Sequence, residues 1–379
     1  HTGASSDAVT LASDGTCTAK ITNNLSNRNL IINGDFQIAQ RATTNDTTGA
    51  TSTYHTLDRW FTQIQAGTIT ESQQTLTSSD TGPWEKGFRK YMRIKNNGTP
   101  IGAGAAQYAE IDQRIEAQTV AQSGWDYTST SSYITVSFWL RASVAQSYVV
   151  VLYSQDGTTR HYPFEVALSA NTWTKVTKTI PGNSGITVNN DIESGLALCF
   201  VAAYGTNYTS DSGSFNVWNT TGGGTNRWPD MATGWATTAN ATFDVTGVQL
   251  EVGDVATDFE HRSYGDELAR CKRYYNRYQD GNNKYLGSTA FQYNSGVCIS
   301  TFRFSTEMRD EPTVDASSGT NYFTIYVNGA ASNFDSWDSI NGMTLRGGCV
   351  NAAVTGTAGH AGGAYLNNSS AYIAFNAEL

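Results

Sequence analysis

At 379 residues the chain is long enough for two or three domains, each with its own core, and an aromatic content of 12%, with 9 Trp and 20 Tyr, excludes a disordered polypeptide. A formal net charge of −9 excludes the basic stripe that a nucleic-acid partner or an anionic membrane surface would require. Charged residues supply only 15% of the chain, below the ~25% usual for globular domains, so with 36 Gly the surface is polar, weakly charged and suited to sugar hydroxyls.

Five cysteines, Cys17, Cys199, Cys271, Cys298 and Cys349, are far apart, odd in number and free of any C-x-x-C pair. They read as free thiols made in a reducing cytosol. No apolar run approaches the ~20 residues of a membrane span and no signal peptide is visible, so membrane insertion is not expected. An opening His1 in place of Met reads as a fragment, a processed product or a tag remnant.

Residues 1–28, rich in Ser, Thr, Asn and Asp, read as an N-terminal connector to a shaft or collar. Within it Val9-Thr10-Leu11 suits an extended strand that a neighbouring chain completes. From 29 to 263, short alternating strands separated by Gly, Asn, Ser and Asp clusters predict a jelly-roll β-sandwich. In Tyr133 to Arg141 the residues Ile134, Val136, Phe138 and Leu140 share one phase; Tyr148 to Tyr153 is apolar throughout; Leu196, Leu198, Phe200 and Ala202 alternate again. Near the end, Phe243 and Val245 share one phase and Val248, Leu250 and Val252 the other, which places a β-bulge at Thr246-Gly247.

One linking α-helix is expected over 264–279, from Tyr264 to about Tyr278, with Ser263 as its cap and Asp266 three residues on. Leu268, Cys271, Tyr275 and Tyr278 would form its apolar stripe, packed between domains or on a sister chain. Residues 280–379 read as a smaller C-terminal β tip domain, with strands near 284–293, 296–305, 321–328 and 371–378. The Gly-, Ala- and Thr-rich stretch between Gly347 and Ala364 is expected to be a long loop, or a surface that only an oligomer orders.

Several of these segments carry motifs. Leu30-Ile31-Ile32-Asn33-Gly34-Asp35-Phe36-Gln37-Ile38-Ala39-Gln40-Arg41 leads to Leu57-Asp58-Arg59-Trp60. Thr246 to Gly253 is followed by Ala256-Thr257-Asp258-Phe259-Glu260, then Glu267-Leu268, Cys271-Lys272-Arg273-Tyr274-Tyr275, Met308 to Val314, and Ile373 to Leu379. In this order and spacing they resemble bacteriophage tail-fibre and receptor-binding proteins, with a jelly roll similar to carbohydrate-binding modules. The resemblance implies a homotrimer in the virion tail fibre, other phage tail proteins as partners, and non-enzymatic attachment to bacterial cell-surface polysaccharide. A purely structural virion protein (collar, spike or head decoration) and a glycan-degrading tailspike enzyme are the alternatives.

Catalytic motifs are missing: there is no G-x-S-x-G, no H-E-x-x-H and no phosphate loop, and the five histidines are scattered. The acid groups Glu110 with Asp112, Asp254 with Asp258, and Glu307 with Asp310 and Glu311 read as solvated rather than as a glycosidase pair. No cofactor is required. The one metal that the resemblance implies is a structural calcium near the first and last strands, where Asp35 and Asp244 are the acids; the other reading is hydrogen-bonded turn and strand acids. Candidate ligand contacts are rings in polar loops: Tyr204, Tyr208, Trp218, Trp228 and Trp235 in the insertion after residue 202, and Tyr322, Trp337, His360 and Tyr365 in the C-terminal tip. Either they stack on sugars, or the insertion has a small core of its own or packs on a neighbouring subunit.

Overall fold

The computed structural model describes residues 9–11, 13, 15, 17–19, 27–210, 213–220 and 227–379. Most of the expected connector lies outside that set. Within it Val9–Leu11 pairs antiparallel with Cys17–Ala19 of the same chain, so this strand finds its partner locally rather than on a neighbour.

The molecule is all-β, with a jelly-roll sandwich at its centre. One sheet has seven strands in the order Asn219–Thr220, Arg160–Leu168, Gln146–Ser154, Ser194–Tyr204, Tyr108–Glu116, Phe61–Ile64 and Thr51–Thr53. The facing sheet has six: Thr174–Pro181, Tyr133–Ala142, Thr242–Val252, Lys90–Asn96, Thr68–Thr75 and Thr44–Thr48. Ile134, Val136, Phe138 and Leu140 point from the second sheet into a shared core and meet Tyr148, Val150, Leu152, Leu198 and Phe200 from the first. Phe138 and Phe200 touch edge to face at 4.9 Å, and Phe36 stacks on Trp60 at 4.7 Å. Burying a ring of this size contributes roughly 1.5–3 kcal/mol.

The opening motif is an irregular segment rather than a strand. It is zipped along Thr242–Val252: Leu30 N donates to Leu250 O and Val248 N donates to Gly34 O, both at 2.9 Å. Glycine is required at 34, because a Cβ there would stand 2.1 Å from the Val248 carbonyl oxygen. The Asn33 amide ties Ile38 and Asp58 together, and Trp60 Nε1 donates to Asn33 O at 3.0 Å. Where the bulge is expected, the register of Thr242–Val252 slips between Thr246 and Gln249, with Gly247 at φ +62° lying against the Phe88 ring.

The helix runs only over Tyr264–Lys272, capped by Ser263 Oγ accepting from Asp266 N at 3.2 Å. The chain then switches to a strand, Tyr275–Asp280, which pairs with Tyr372–Asn376 beside Thr313–Ala316. The helix is thus shorter than expected, and Tyr278 is in a strand. Packing overrides propensity here: Tyr274 and Tyr275 are buried under the guanidinium groups of Arg59 and Arg41, at 3.5 and 3.6 Å from the ring centres.

The C-terminal region adds a seven-stranded sheet in the order Ala330–Phe334, Phe323–Val327, Ala361–Leu366, Lys284–Asn294, Val297–Arg303, Gly347–Ala353 and Ser339–Thr344. Two of these strands occupy the stretch expected to be a loop. Its small residues earn that place, since Val350, Ala352 and Ala364 fill the inner face.

A buried seam joins the two regions. Glu378 forms an ion pair with Arg59 and another with Arg41 at 3.3 Å, and Arg59 and Glu378 are almost wholly excluded from solvent. Arg114 Nη1 and Tyr54 OH donate to Leu379 O at 3.0 and 3.1 Å, and Arg309 Nε donates to Ala377 O at 2.8 Å. Arg273 clamps Glu116 with two bonds of 2.8 Å. The Asp58-Arg59-Trp60 motif and the final segment, far apart in sequence, therefore mate.

Candidate functional site

On the outer face of the first seven-stranded sheet, residue pairing lines up Arg114, Ala197, Tyr153 and His161 in one row. The next row holds Asp112, Cys199 and Val151, and Glu110 lies beyond it opposite Gln63. The strand Tyr108–Glu116 supplies the acids because Ile111 and Ile115 take its inward phase, leaving Glu110, Asp112 and Arg114 outward.

The described parts of the insertion after Tyr204 fold over this face. Tyr204 and Trp228 stack at 5.0 Å and, with Val149, Val151, Cys199 and Val201, make a separate small core against which Tyr208 packs. This explains why Tyr148 to Tyr153 is apolar on both phases: each of its faces is covered.

What the insertion leaves open is a cleft of about 190 Å³ lined by Gln63, Asp112, Arg114, Tyr153, His161 and Arg227, with Ala197 beneath them. Glu110 is held rigidly at its rim. Gln63 Nε2 donates to Glu110 Oε1 at 3.0 Å, while Tyr204 OH at 2.7 Å and Cys199 Sγ at 2.8 Å donate to Oε2. Asp112 is 5% exposed; burial lifts its carboxyl to about 7 against the pull of Arg114, with Glu110 adding to the rise. Burial, aided by Arg227, lowers His161 to about 3, so its imidazole is neutral. Glu110 and Asp112 are thus buried, not solvated as the sequence suggests, whereas Asp254, Asp258, Glu307 and Glu311 are exposed.

Four polar atoms in the cleft have no hydrogen-bond partner among the described residues: Asp112 Oδ1, Arg114 Nε, His161 Nδ1 and Arg227 Nε. Arg114 Nε and Asp112 Oδ1 face one another as an ion pair at 3.6 Å, beyond hydrogen-bond distance, so each keeps an unused hydrogen-bonding role. A donor-and-acceptor pocket beside the Tyr153 ring, below the ~300–1,000 Å³ of drug-sized ligand sites, suits one polyhydroxylated ring.

The residues singled out in the sequence fall elsewhere, for the most part. Trp228 and Trp235 are fully buried, which removes them as stacking platforms. Trp235 sits in the main core on the short helix Gly234–Thr237, where Gln146 Oε1 accepts from its backbone N at 2.9 Å. Trp218 is half-buried against Tyr162 and donates to Pro181 O at 2.7 Å. Tyr204 and Tyr208 belong to the insertion's small core, though the Tyr204 hydroxyl reaches Glu110. In the C-terminal region Tyr322 and Trp337 pack on the inner core, and Trp337 meets Phe334 at 5.0 Å. His360 precedes the strand Ala361–Leu366, and its carbonyl oxygen accepts from Gln292 N at 2.8 Å. Tyr365 alone among these four joins an outward cluster, 5.0 Å from Tyr285 and 5.1 Å from Tyr326. Of the cleft residues, the sequence singles out only Glu110 and Asp112, and as a solvated acid pair; Arg114, Tyr153, His161 and Arg227 are missed, although Arg114 shares the phase of the two acids.

A calcium shared by Asp35 and Asp244 does not fit. Asp244 is fully buried and already accepts from Arg93 Nε at 2.7 Å, Arg93 Nη2 at 2.8 Å and Arg141 Nε at 2.9 Å. Two guanidinium groups at that carboxylate oppose a cation. Asp35 follows Gly34, which pairs with Val248 rather than with Asp244, and burial beside Glu267 raises its carboxyl above the usual range. Among the described residues no three His, Cys, Asp or Glu side chains group as metal ligands, and no helix is long and apolar enough to cross a membrane. Cys199, Cys271, Cys298 and Cys349 are free thiols.

No protein-family model matches the chain, and no curated protein matches it. Among solved structures it is similar to the enzymatically active domain of tailspike protein 4 of bacteriophage CBA120, at 10% identity and TM-score 0.31, over 59% of this chain and 21% of that one. It is also similar to a CBM4 structure, at 10% identity and TM-score 0.28, over 58% of this chain and 98% of that one. The CBM22-1 xylan-binding domain of Paenibacillus barcinonensis Xyn10C aligns at 8% identity and TM-score 0.24, over 58% and 97% of the two chains. The chain spans about a fifth of the length of the tailspike domain.

Proposed function

We propose that this protein is a non-enzymatic attachment protein of the phage tail-fibre type, whose sandwich cleft holds one residue of a bacterial surface polysaccharide. The observation that carries the reading is the set of four buried polar atoms without a hydrogen bond among the described residues, Asp112 Oδ1, Arg114 Nε, His161 Nδ1 and Arg227 Nε, around a space of about 190 Å³. Leaving such groups without partners costs roughly 1–3 kcal/mol each, and a sugar's hydroxyls would recover that cost. The neutral imidazole and a protonated Asp112 each offer both hydrogen-bond roles to a hydroxyl. A homotrimer at the virion tail, as the sequence resemblance implies, would multiply a weak single-site affinity through several tips on one cell.

The test is saturable binding of labelled protein to intact candidate hosts, with oligomeric mass measured by light scattering and the receptor sought on a glycan array. His161→Ala and Arg227→Ala should weaken adhesion about tenfold, with the melting temperature showing that each variant is folded. Binding indifferent to both substitutions would remove the cleft from recognition. No binding by well-folded protein on susceptible hosts would favour a structural virion role. The raised carboxyl of Asp112 beside Glu110 favours a second reading, glycoside hydrolysis. It predicts reducing-end release from host polysaccharide that Asp112→Asn abolishes; the attachment reading predicts none.

A further inference from the structure

We propose that the C-terminal domain carries a second saccharide site, independent of the sandwich cleft, that takes an anionic sugar chain bearing carboxylate or phosphate groups. A groove of about 900 Å³ runs along the strand Val297–Arg303, over the rings of Tyr278, Phe302 and Phe304. That is room for several sugar units. Its rim carries two guanidinium groups and one carboxylate, a local excess of positive charge on a chain whose net charge is −9. The Arg303 side chain is exposed and makes no hydrogen bond or ion pair among the described residues. The Arg346 side chain is 82% exposed and, among the described residues, makes one hydrogen bond, Nε to Glu307 Oε2 at 2.9 Å. Two guanidiniums with donors to spare match the paired oxygens of a carboxylate or phosphate.

A buried group lines the groove as well. Ser288 is 2% exposed, and its hydroxyl has no hydrogen-bond partner among the described residues. Beyond Ser288 the same sheet turns aromatic: Tyr285 OH donates to Ser288 O at 3.2 Å, and Tyr285, Tyr365 and Tyr326 succeed one another at about 5 Å. Tyr285 and Tyr326 are 48% and 50% exposed, so their rings are open to C–H stacking. Glycine at 363 permits this, since a Cβ there would lie 2.7 Å from the Tyr285 ring. A chain held by its charges at Arg303 and Arg346 would run on over these rings.

The test uses the full protein and calorimetric titration with an oligogalacturonate, its methyl ester and glucose 6-phosphate. The oligogalacturonate should bind and weaken steeply with salt, and its methyl ester should bind about tenfold more weakly. Arg303→Ala with Arg346→Ala should cost the charged probe about tenfold, while His161→Ala in the sandwich leaves it unchanged. That contrast keeps failure here distinct from failure of the cleft. Glucose 6-phosphate binding that the same arginine substitutions weaken, without oligogalacturonate binding, would support the site and assign phosphate as its anion. The proposal is overturned if neither anionic probe binds, if the ester binds as well as the acid, or if the double arginine variant binds unchanged. Self-association that Tyr326→Ala abolishes would also overturn it, by giving this face to a second copy of the chain.

Discussion

The two seven-stranded sheets treat their outer faces in opposite ways. In the sandwich, the described parts of the insertion after Tyr204 close over the sheet, burying Trp228 against Tyr204 and leaving a narrow polar cleft. In the C-terminal region no such cover lies on Tyr285 and Tyr326 among the described residues, which leave them half exposed, and a wide groove bordered by Arg303 and Arg346 stays open beside them. Tyr occurs in the strands of both sheets, whereas Gly is frequent only in the C-terminal one, where it leaves the outer face low beside the rings. An aromatic side chain in a polar loop becomes core when the loop folds back on its own sheet, and becomes platform when nothing does.

The largest expected effect breaks the seam between the regions. Glu378→Ala strands the buried Arg59 guanidinium without its carboxylate and should cost about 3–5 kcal/mol in denaturant unfolding; a loss below ~1 kcal/mol would mean the seam is solvated. Next comes the covered face. Trp228→Ala empties the centre of the insertion's small core and should cost about 3 kcal/mol. If stability held while sugar binding fell, Trp228 would be a ligand contact after all.

The cleft acid gives a smaller, pH-dependent effect. Burial raises Asp112 to about 7, above its unfolded value near 4, so the folded state holds that proton more tightly. Its contribution is therefore present at low pH and is lost as pH rises from about 4 to about 7. Asp112→Asn cannot ionise and should match the parent at pH ~4 yet exceed it by on the order of 2 kcal/mol at pH ~8. Equal stability of the two proteins at both pH values would show that Asp112 titrates as an ordinary surface acid. Smallest of all is the open face: Tyr326→Ala should shift stability by no more than ~0.5 kcal/mol, and a larger loss would mean that Tyr326 is buried in solution.

Much of the architecture was legible in advance because it rests on local chemistry. Alternation in Tyr133–Ala142 and Ser194–Tyr204 gave the inward faces, the phase change around Gly247 gave the bulge, and Ser263 gave the helix start. The errors share a cause. Tyr275 and Tyr278 fit a helical stripe as well as a strand, and the choice was made by the pairing of Tyr275–Asp280 with Tyr372–Asn376, about 100 residues away in sequence. Trp228 and Trp235 looked exposed because their neighbours are polar, and only packing buried them.

By itself, then, the sequence determined an all-β chain, the phase of its main strands and the places where they kink or stop, since period, glycine and capping act over a few residues. It also carried Glu110, Asp112 and Arg114 on one phase. Tertiary structure alone decided that this phase would face a cleft with Tyr153, His161 and Arg227, and that Arg59 would meet Glu378. The physical reason is that alternation says which side chains share a face, whereas pairing between distant strands says which face they share it with, and what covers it.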